Sequence, residues 1–173
     1  MTAARVRYDP SWLALREGAD ARARARDLAA LAAQAVARQH RIVVHDLGCG
    51  TGSMARWLAV RLPGPQHWVL TDRDADLLTV AAENPPGESA DGAPVTVEIR
   101  RRDITRLDAT DLTGVDLITA SALLDMMTGD ELDRLLDVCA KAGCPVLVTL
   151  SVVGRVDLVP AEPFDSSVRT AFN

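Results

Sequence analysis

The spacing of apolar positions changes several times along this chain, and each change marks a predicted element. From Ser11 to about Arg38 the chain is alanine-rich and helix-favouring. Trp12, Leu13, Leu15, Leu28, Leu31 and Val36 supply its packing faces, and Gly18 is the expected break between two helices. The apolar run from Ile42 to Leu47 predicts a first strand. A helix begins at Ser53 and is stopped by Leu62-Pro63-Gly64-Pro65. Trp68 to Asp72 predicts a second strand and Ala75 to Glu83 its helix, followed by a polar loop from Asn84 to Pro94.

Val95-Thr96-Val97-Glu98-Ile99-Arg100 alternates as a half-buried strand at a sheet edge does. Val115 to Ala120 and Val146 to Leu150 predict a fourth and a fifth strand. Between them Thr128 and Glu131 have the spacing of a capping box, and Leu132, Leu135, Leu136 and Cys139 recur at helical spacing until Gly143. A short helical piece is expected over Ser166 to Phe172.

Strands that alternate with helices imply an α/β fold: a mostly parallel sheet joined by right-handed crossovers, with helices on both faces in three layers. One domain spans 1–173, with a helical N-terminal cover over 1–40, a core over 41–151 and a short extension over 152–173. In such sheets ligands bind beyond the carboxyl ends of the strands, where strand order reverses.

Composition narrows the function classes. The net charge of -5 gives no reason to expect nucleic acid or an anionic membrane as partner. The series Arg22, Arg24, Arg26 reads as a solvated helix face, and Arg100-Arg101-Arg102 as the polar end of a strand. Cys49, Cys139 and Cys144 have neither metal-ligand spacing nor a disulfide framework, so no metal is expected and a reducing cytoplasm suits them. No signal peptide opens the chain and no apolar stretch reaches the length of a membrane span.

The candidate chemistry lies at the strand ends. Asp46-Leu47-Gly48-Cys49-Gly50-Thr51-Gly52 closes the first strand as a D-x-G-x-G-x-G turn leading into a helix. The glycines permit a tight turn and close approach to a ligand, with the free N–H groups of the helix start facing it. Asp72 closes the second strand where an acidic residue can accept both ribose hydroxyls, with Arg73 beside it. Asp103 and Ile104 follow the third strand, an acceptor beside an apolar slab, which suits adenine. Ala120 and Ser121 close the fourth.

This ordered set resembles the class I S-adenosylmethionine-dependent methyltransferases over roughly 41–151. The resemblance implies a Rossmann-like fold, S-adenosyl-L-methionine as cofactor and S-adenosyl-L-homocysteine as product. It implies that Gly48, Gly50 and Gly52 line the methionyl part, that Asp46 helps hold its amino group and that Asp72 takes the ribose, with Cys49 and Arg73 as further cofactor-binding residues. Asp103 and Ile104 flank the adenine, and Ser121 faces the methionyl group and the acceptor. Small-molecule methyltransferases with a helical cover are the nearest in look. There an arginine or aromatic of the cover reaches the cofactor carboxylate, for which Arg16 and Trp12 are the candidates here.

A nicotinamide dehydrogenase would need G-x-G-x-x-G, whereas position 53 is Ser and the third glycine is Gly52. A P-loop is excluded, because no Gly-Lys-Ser/Thr follows. Asp125 is the candidate base or substrate ligand, with capping of the next helix as its structural alternative. His45 reads as a core residue, and His40 and His67 as surface groups. The Asn-Pro-Pro-aromatic signature of many amino-methylating enzymes is missing from the fourth strand end, and aromatic residues make up only 3%. A small-molecule acceptor follows by elimination; a non-catalytic cofactor-binding module is the alternative.

The family's sheet usually has seven strands, and only five are clear here. The expectation is a fragment or a minimal variant whose fifth-strand edge either self-associates or is covered by Val156 to Val159 folding back.

Overall fold

A computed structural model describes residues 8–151, 160 and 162–172. Two helices come first, α1 (Pro10–Ala23) and α2 (Arg26–Val36). Then follow β1 (Ile42–Leu47), α3 (Ser53–Ala59), β2 (Gln66–Asp72), α4 (Ala75–Glu83) and β3 (Val95–Arg101). β4 (Leu117–Ser121), α5 (Gly129–Ala142), β5 (Val146–Thr149) and α6 (Asp165–Phe172) complete the order. The five strands form one sheet in the order β3-β2-β1-β4-β5, and every neighbouring pair is parallel. Strand order reverses between β1 and β4, so the glycine turn after β1 lies at the switch point, where such sheets bind ligands.

Alternation along each strand assigns the two faces. Ile42, Val44, Trp68, Leu70, Leu117 and Leu147 pack with α2, α3 and α4 through Ala29, Val36, Met54, Leu58, Leu78 and Ala81. Leu47 and Ile118 point the other way, against Leu135 and Cys139 of α5 and against Leu107 and Leu112. The β3–β4 crossover holds no α-helix; two 3-10 turns, Ile104–Arg106 and Ala109–Leu112, occupy it. The layer on that face is therefore thin, and β3 turns Thr96 and Glu98 outward. A 3-10 turn forms in three or four residues and leaves no helical periodicity to read, which is why these turns, with Leu124–Met126, escaped the sequence.

Local signals work as expected at several ends. Thr128 and Glu131 form the reciprocal capping box of α5, and Gly143 closes that helix at φ 69°. α3 ends on a side chain from β2: buried Gln66 donates to the carbonyls of Ala59 and Leu62 at 3.0 and 2.8 Å and accepts from Trp68 Nε1 at 2.8 Å. Backbone pairing of Gln66 with Ile42 and Val95 starts β2 two residues before Trp68.

One boundary differs from expectation. The first helical stretch breaks at Arg24 and Ala25, both extended, and not at Gly18, which stays within α1. A mid-helix glycine costs only about 1 kcal/mol, so a tertiary demand at Arg24 overrides it. That demand appears in the site below. α1 itself buries no residue. Polar links fix it instead: Arg56 on α3 grips Glu17 with two hydrogen bonds of 2.8 and 2.7 Å and also donates to the carbonyls of Thr51 and Asn84.

β5 is an edge strand among the described residues, with Val146 exposed on it and Leu28 and Leu31 exposed on neighbouring α2. The expectation that Val156 to Val159 cover this edge concerns residues 152–159, outside those described. No described helix is long and apolar enough to cross a membrane.

Candidate functional site

The glycine turn is bent by three residues at positive φ: Gly48 at 64°, Gly50 at 55° and Gly52 at 82°. Gly48 is the most constrained of them. A Cβ placed there would lie 2.8 Å from Leu123 Cδ1, so the segment after β4 roofs the turn. Leu13 of α1 covers Gly50, 3.7 Å from where a Cβ would stand. Gly48→Ala is expected to lose about 1–2 kcal/mol of stability, the cost of an L side chain in the left-handed region, read from its urea midpoint. An unchanged midpoint would show that the turn relaxes freely.

The turn is tied to β2. The Cys49 N–H donates to the Thr71 carbonyl at 3.0 Å. Asp72 accepts from the Gly50 N–H on one oxygen and from the Asp74 N–H on the other, both at 2.9 Å. Each carboxylate oxygen keeps a further lone-pair direction, and the group is only half-buried, so it can still accept a diol. Arg73 beside it is exposed. Cys49 is buried, and burial pushes its thiol well above the ordinary range, so it stays protonated. At the end of β3, Asp103 accepts from the backbone N–H and the hydroxyl of Thr105 at 3.1 and 2.8 Å through a single oxygen. Half-buried Ile104 stands next to it. Sequence reading thus placed Asp46, the glycines, Asp72, Asp103, Ile104 and Ser121 at one end of one sheet, and the fold puts them there.

Asp46 is 1% exposed, and its Oδ1 accepts from the Thr119 hydroxyl of β4 at 2.7 Å. Its Oδ2 is buried with no hydrogen-bond partner among the described residues. Burial pushes this carboxyl up to about 7, against the Thr119 hydrogen bond and the positive charge of Arg24. Arg24 is the counterpart. It is 3% exposed, and its Nη2 donates to Ser53 Oγ at 3.0 Å and Ser121 Oγ at 3.2 Å. Its Nε and Nη1 are buried without a partner among the described residues. Burial pulls the guanidinium below its ordinary value, although Asp20, Asp46 and Glu17 act the other way. Its carbon lies 5.5 Å from the centroid of the Trp57 ring.

Two unpaired cationic donors and one unpaired carboxylate oxygen therefore share this end of the sheet. Thr119 and Ser121, which hold Asp46 and Arg24, are two apart on β4 and face the same side, about 7 Å from each other.

Three expected assignments meet a different geometry. Arg16, the candidate from the cover, is occupied by Asp20 one turn away at 2.9 Å and is partly exposed. Arg24 reaches the site in its place, because the break between α1 and α2 turns it inward. A signal for this existed. Residues two apart lie on opposite sides of a helix, so Arg24 could not share the solvated face of Arg22 and Arg26. Only Arg22 and Arg26 are exposed. Asp125 is exposed on the turn Leu124–Met126, and Thr128 rather than Asp125 caps α5. His45 is fully buried as expected, with Nε2 2.7 Å from Thr71 Oγ1, and burial pulls it down to about 4.

A protein-family model described as a methyltransferase domain matches residues 44–145. This chain belongs to the methyltransferase domain family. The methyltransferase fold is also found among solved structures. An S-adenosyl-L-methionine-dependent methyltransferase of Methanococcus maripaludis aligns with TM-score 0.55 at 14% identity, covering 86% of this chain and 66% of that one. Magnesium protoporphyrin IX methyltransferase from Synechocystis PCC 6803, solved with bound SAH, aligns with TM-score 0.51 at 17% identity over 80% of this chain and 58% of its own. A small RNA methyltransferase aligns with TM-score 0.52 at 19% identity over 71% of this chain and 16% of its own. The chain thus spans 66% or less of the length of each of these relatives. A search of curated proteins finds no match.

The matched segment starts at Val44 and ends at Pro145, so it includes Asp46, the glycine turn, Asp72, Asp103 and Ser121 but not Arg24. The cationic half of the pocket comes from the cover, outside the segment that identifies the family.

Proposed function

We propose that this domain binds S-adenosyl-L-methionine and transfers its methyl group to a small-molecule acceptor. One observation carries the reading: buried Arg24 keeps two unpaired donors and buried Asp46 keeps one unpaired acceptor oxygen, at the end of the sheet where the family's glycine turn lies. An unsatisfied buried polar group costs about 1–3 kcal/mol, so a fold that keeps three of them together gains by binding their complement. That complement is a carboxylate beside an ammonium, the amino-acid end of this cofactor.

Arg24 and Ser121 would hold the carboxylate, and Asp46 the ammonium. The half-turn from Gly48 to Gly52 lies against the chain between them, Asp72 takes the ribose hydroxyls, and Asp103 and Ile104 flank the adenine. When bound, the cofactor supplies a methyl group on a positively charged sulfur. The protein then aligns the acceptor in line with that bond and excludes water. Leu13 and Leu123, packed over the glycine turn from two elements, provide the exclusion. Asp125 remains the candidate to orient or deprotonate the acceptor.

The small-molecule reading rests on the net charge of -5 and the scarcity of aromatic residues, which favour neither a nucleic-acid track nor a stacking platform. The proposal extends to a single domain with cover 1–40 and core 41–151, to a reducing cytoplasm that keeps the three free cysteines as thiols, and to self-association along the β5 edge.

Calorimetric titration of the chain with S-adenosylmethionine, S-adenosylhomocysteine and NAD tests the reading. Binding of the first two without the third is expected. Asp72→Ala should weaken both by about 1–3 kcal/mol, the scale of hydrogen bonds to a charged group. A folded chain that binds neither cofactor form would end the proposal, and unchanged affinity in Asp72→Ala would remove the ribose assignment.

A further inference from the structure

Thr149 lies on β5, one strand beyond the residues of the cofactor pocket, and is 6% exposed. In the sheet register it pairs with Ser121 of β4. Its Oγ1 lies 3.1 Å from Ser121 Oγ, and its other contact is Met54 Sδ at 3.8 Å, a weak acceptor. Its carbonyl accepts the Ala122 N–H at 3.0 Å. Thr149 therefore holds both the side chain of Ser121 and the backbone that follows it. Ala122 itself sits at φ 51°, a conformation that an alanine keeps only when its surroundings impose it.

The Ser121 oxygen receives donors from two directions. Arg24 Nη2 approaches at 3.2 Å from the cover, and Thr149 at 3.1 Å from the sheet. A hydroxyl has two lone pairs and one hydrogen. With both lone pairs taken, its own hydrogen is left to donate to an anion beside Arg24. Without Thr149 the hydroxyl can rotate, and its hydrogen loses that direction. The β-branched threonine is stiff at χ1 and is paired with Ser121 in the sheet register, so it makes a rigid stop.

We infer that Thr149 is a positioning residue for the amino-acid end of the cofactor: through Ser121 it orders the hydrogen-bond direction of the Arg24 pocket without touching the ligand. The inference rests on the reading of Arg24 and Asp46 as the carboxylate and ammonium site. Thr149→Val keeps the shape of the side chain and its packing on Met54 while removing the hydroxyl. Thr149→Ser keeps the hydroxyl.

The experiment compares two probes by titration. S-Adenosylhomocysteine carries the amino-acid end; 5′-methylthioadenosine keeps the adenosine and the thioether and lacks it. Thr149→Val is expected to weaken S-adenosylhomocysteine about fivefold, the worth of one ordered neutral hydrogen bond, and to leave 5′-methylthioadenosine unchanged. Thr149→Ser should restore the difference. Equal loss of both probes would mark a general structural role and overturn the inference. So would unchanged S-adenosylhomocysteine binding in the valine variant, or failure of serine to restore it. If the unaltered protein binds neither probe, the reading of the pocket fails first and the role of Thr149 falls with it.

Discussion

Arg24→Met is expected to lose S-adenosylhomocysteine binding by about a hundredfold while leaving the unliganded protein at least as stable as before. Both signs follow from one feature. In the fold the guanidinium is 3% exposed and bonded to two serine hydroxyls through Nη2 alone. A buried charge whose hydrogen-bond partners are neutral and incomplete contributes little to stability, even with Asp20, Asp46 and Glu17 acting from further off, and an apolar side chain of similar length replaces it without loss. Ser121 still has Thr149, and Ser53 is half-buried within reach of solvent. The bound state is different, because each hydrogen bond to a charged group is worth about 1.5–3 kcal/mol and a carboxylate would take more than one from Arg24. Thermal melting of the variant, alone and with ligand, checks both signs together. Binding of 5′-methylthioadenosine should survive, because that probe has no carboxylate. An Arg24→Met protein that binds S-adenosylhomocysteine as tightly as the parent would remove Arg24 from the site. One that melts far lower without ligand would make it a structural residue.

The second large effect concerns pH and two neighbours on β1. Asp46 holds its proton in the fold up to about 7, whereas the unfolded chain releases it near 3.8. Its contribution to stability is therefore complete below the lower value and is lost as pH rises through the higher one. His45 runs the other way. Its folded value of about 4 lies below 6.5, so its contribution is present above 6.5 and is lost as pH falls towards 4. From about pH 5 to pH 6.5, above the range of ordinary carboxylates, the two slopes oppose each other and the stability of the parent should be nearly flat. Asp46→Asn removes one limb, so its stability should rise with pH across that window as His45 becomes neutral in the unfolded chain. Urea midpoints at several pH values in the two proteins measure this, and parallel curves would refute the buried, protonated state of Asp46. The ligand adds a second readout. An ammonium needs the ionised carboxylate, so affinity for S-adenosylhomocysteine should rise with pH towards about 7 in the parent and stay flat in Asp46→Asn.

Much of the architecture is written in local periodicity. Ile42 to Leu47 and Ala75 to Glu83 fold over the residues that their patterns predict, as does the Thr128 to Gly143 helix with its two caps. In these segments the apolar spacing, the capping residues and the turn glycines all favour one structure, so tertiary contacts have nothing to overrule. The D-x-G-x-G-x-G turn is legible for the same reason: its glycines answer a backbone demand that other residues meet only at a cost. Asp72 and Asp103 were legible from their positions at strand ends, because the parallel sheet converts chain order into a row of adjacent termini.

The partners of those residues belong to another scale. The break at Arg24 carries no glycine or proline, and its cause is a pocket built by Ser53, Trp57 and Ser121, 29 to 97 positions away. The same holds for Thr149 on Ser121 and for Glu17 on Arg56, where each side chain meets its partner only after strands and helices have packed. The sequence by itself determined the parallel sheet, the switch point and the turn that marks the family, because those depend on short-range spacing and on backbone sterics. Tertiary structure decided which of the five described arginines from Arg16 to Arg38 enters the site, because burial of a charge depends on what surrounds it and not on its neighbours in the chain.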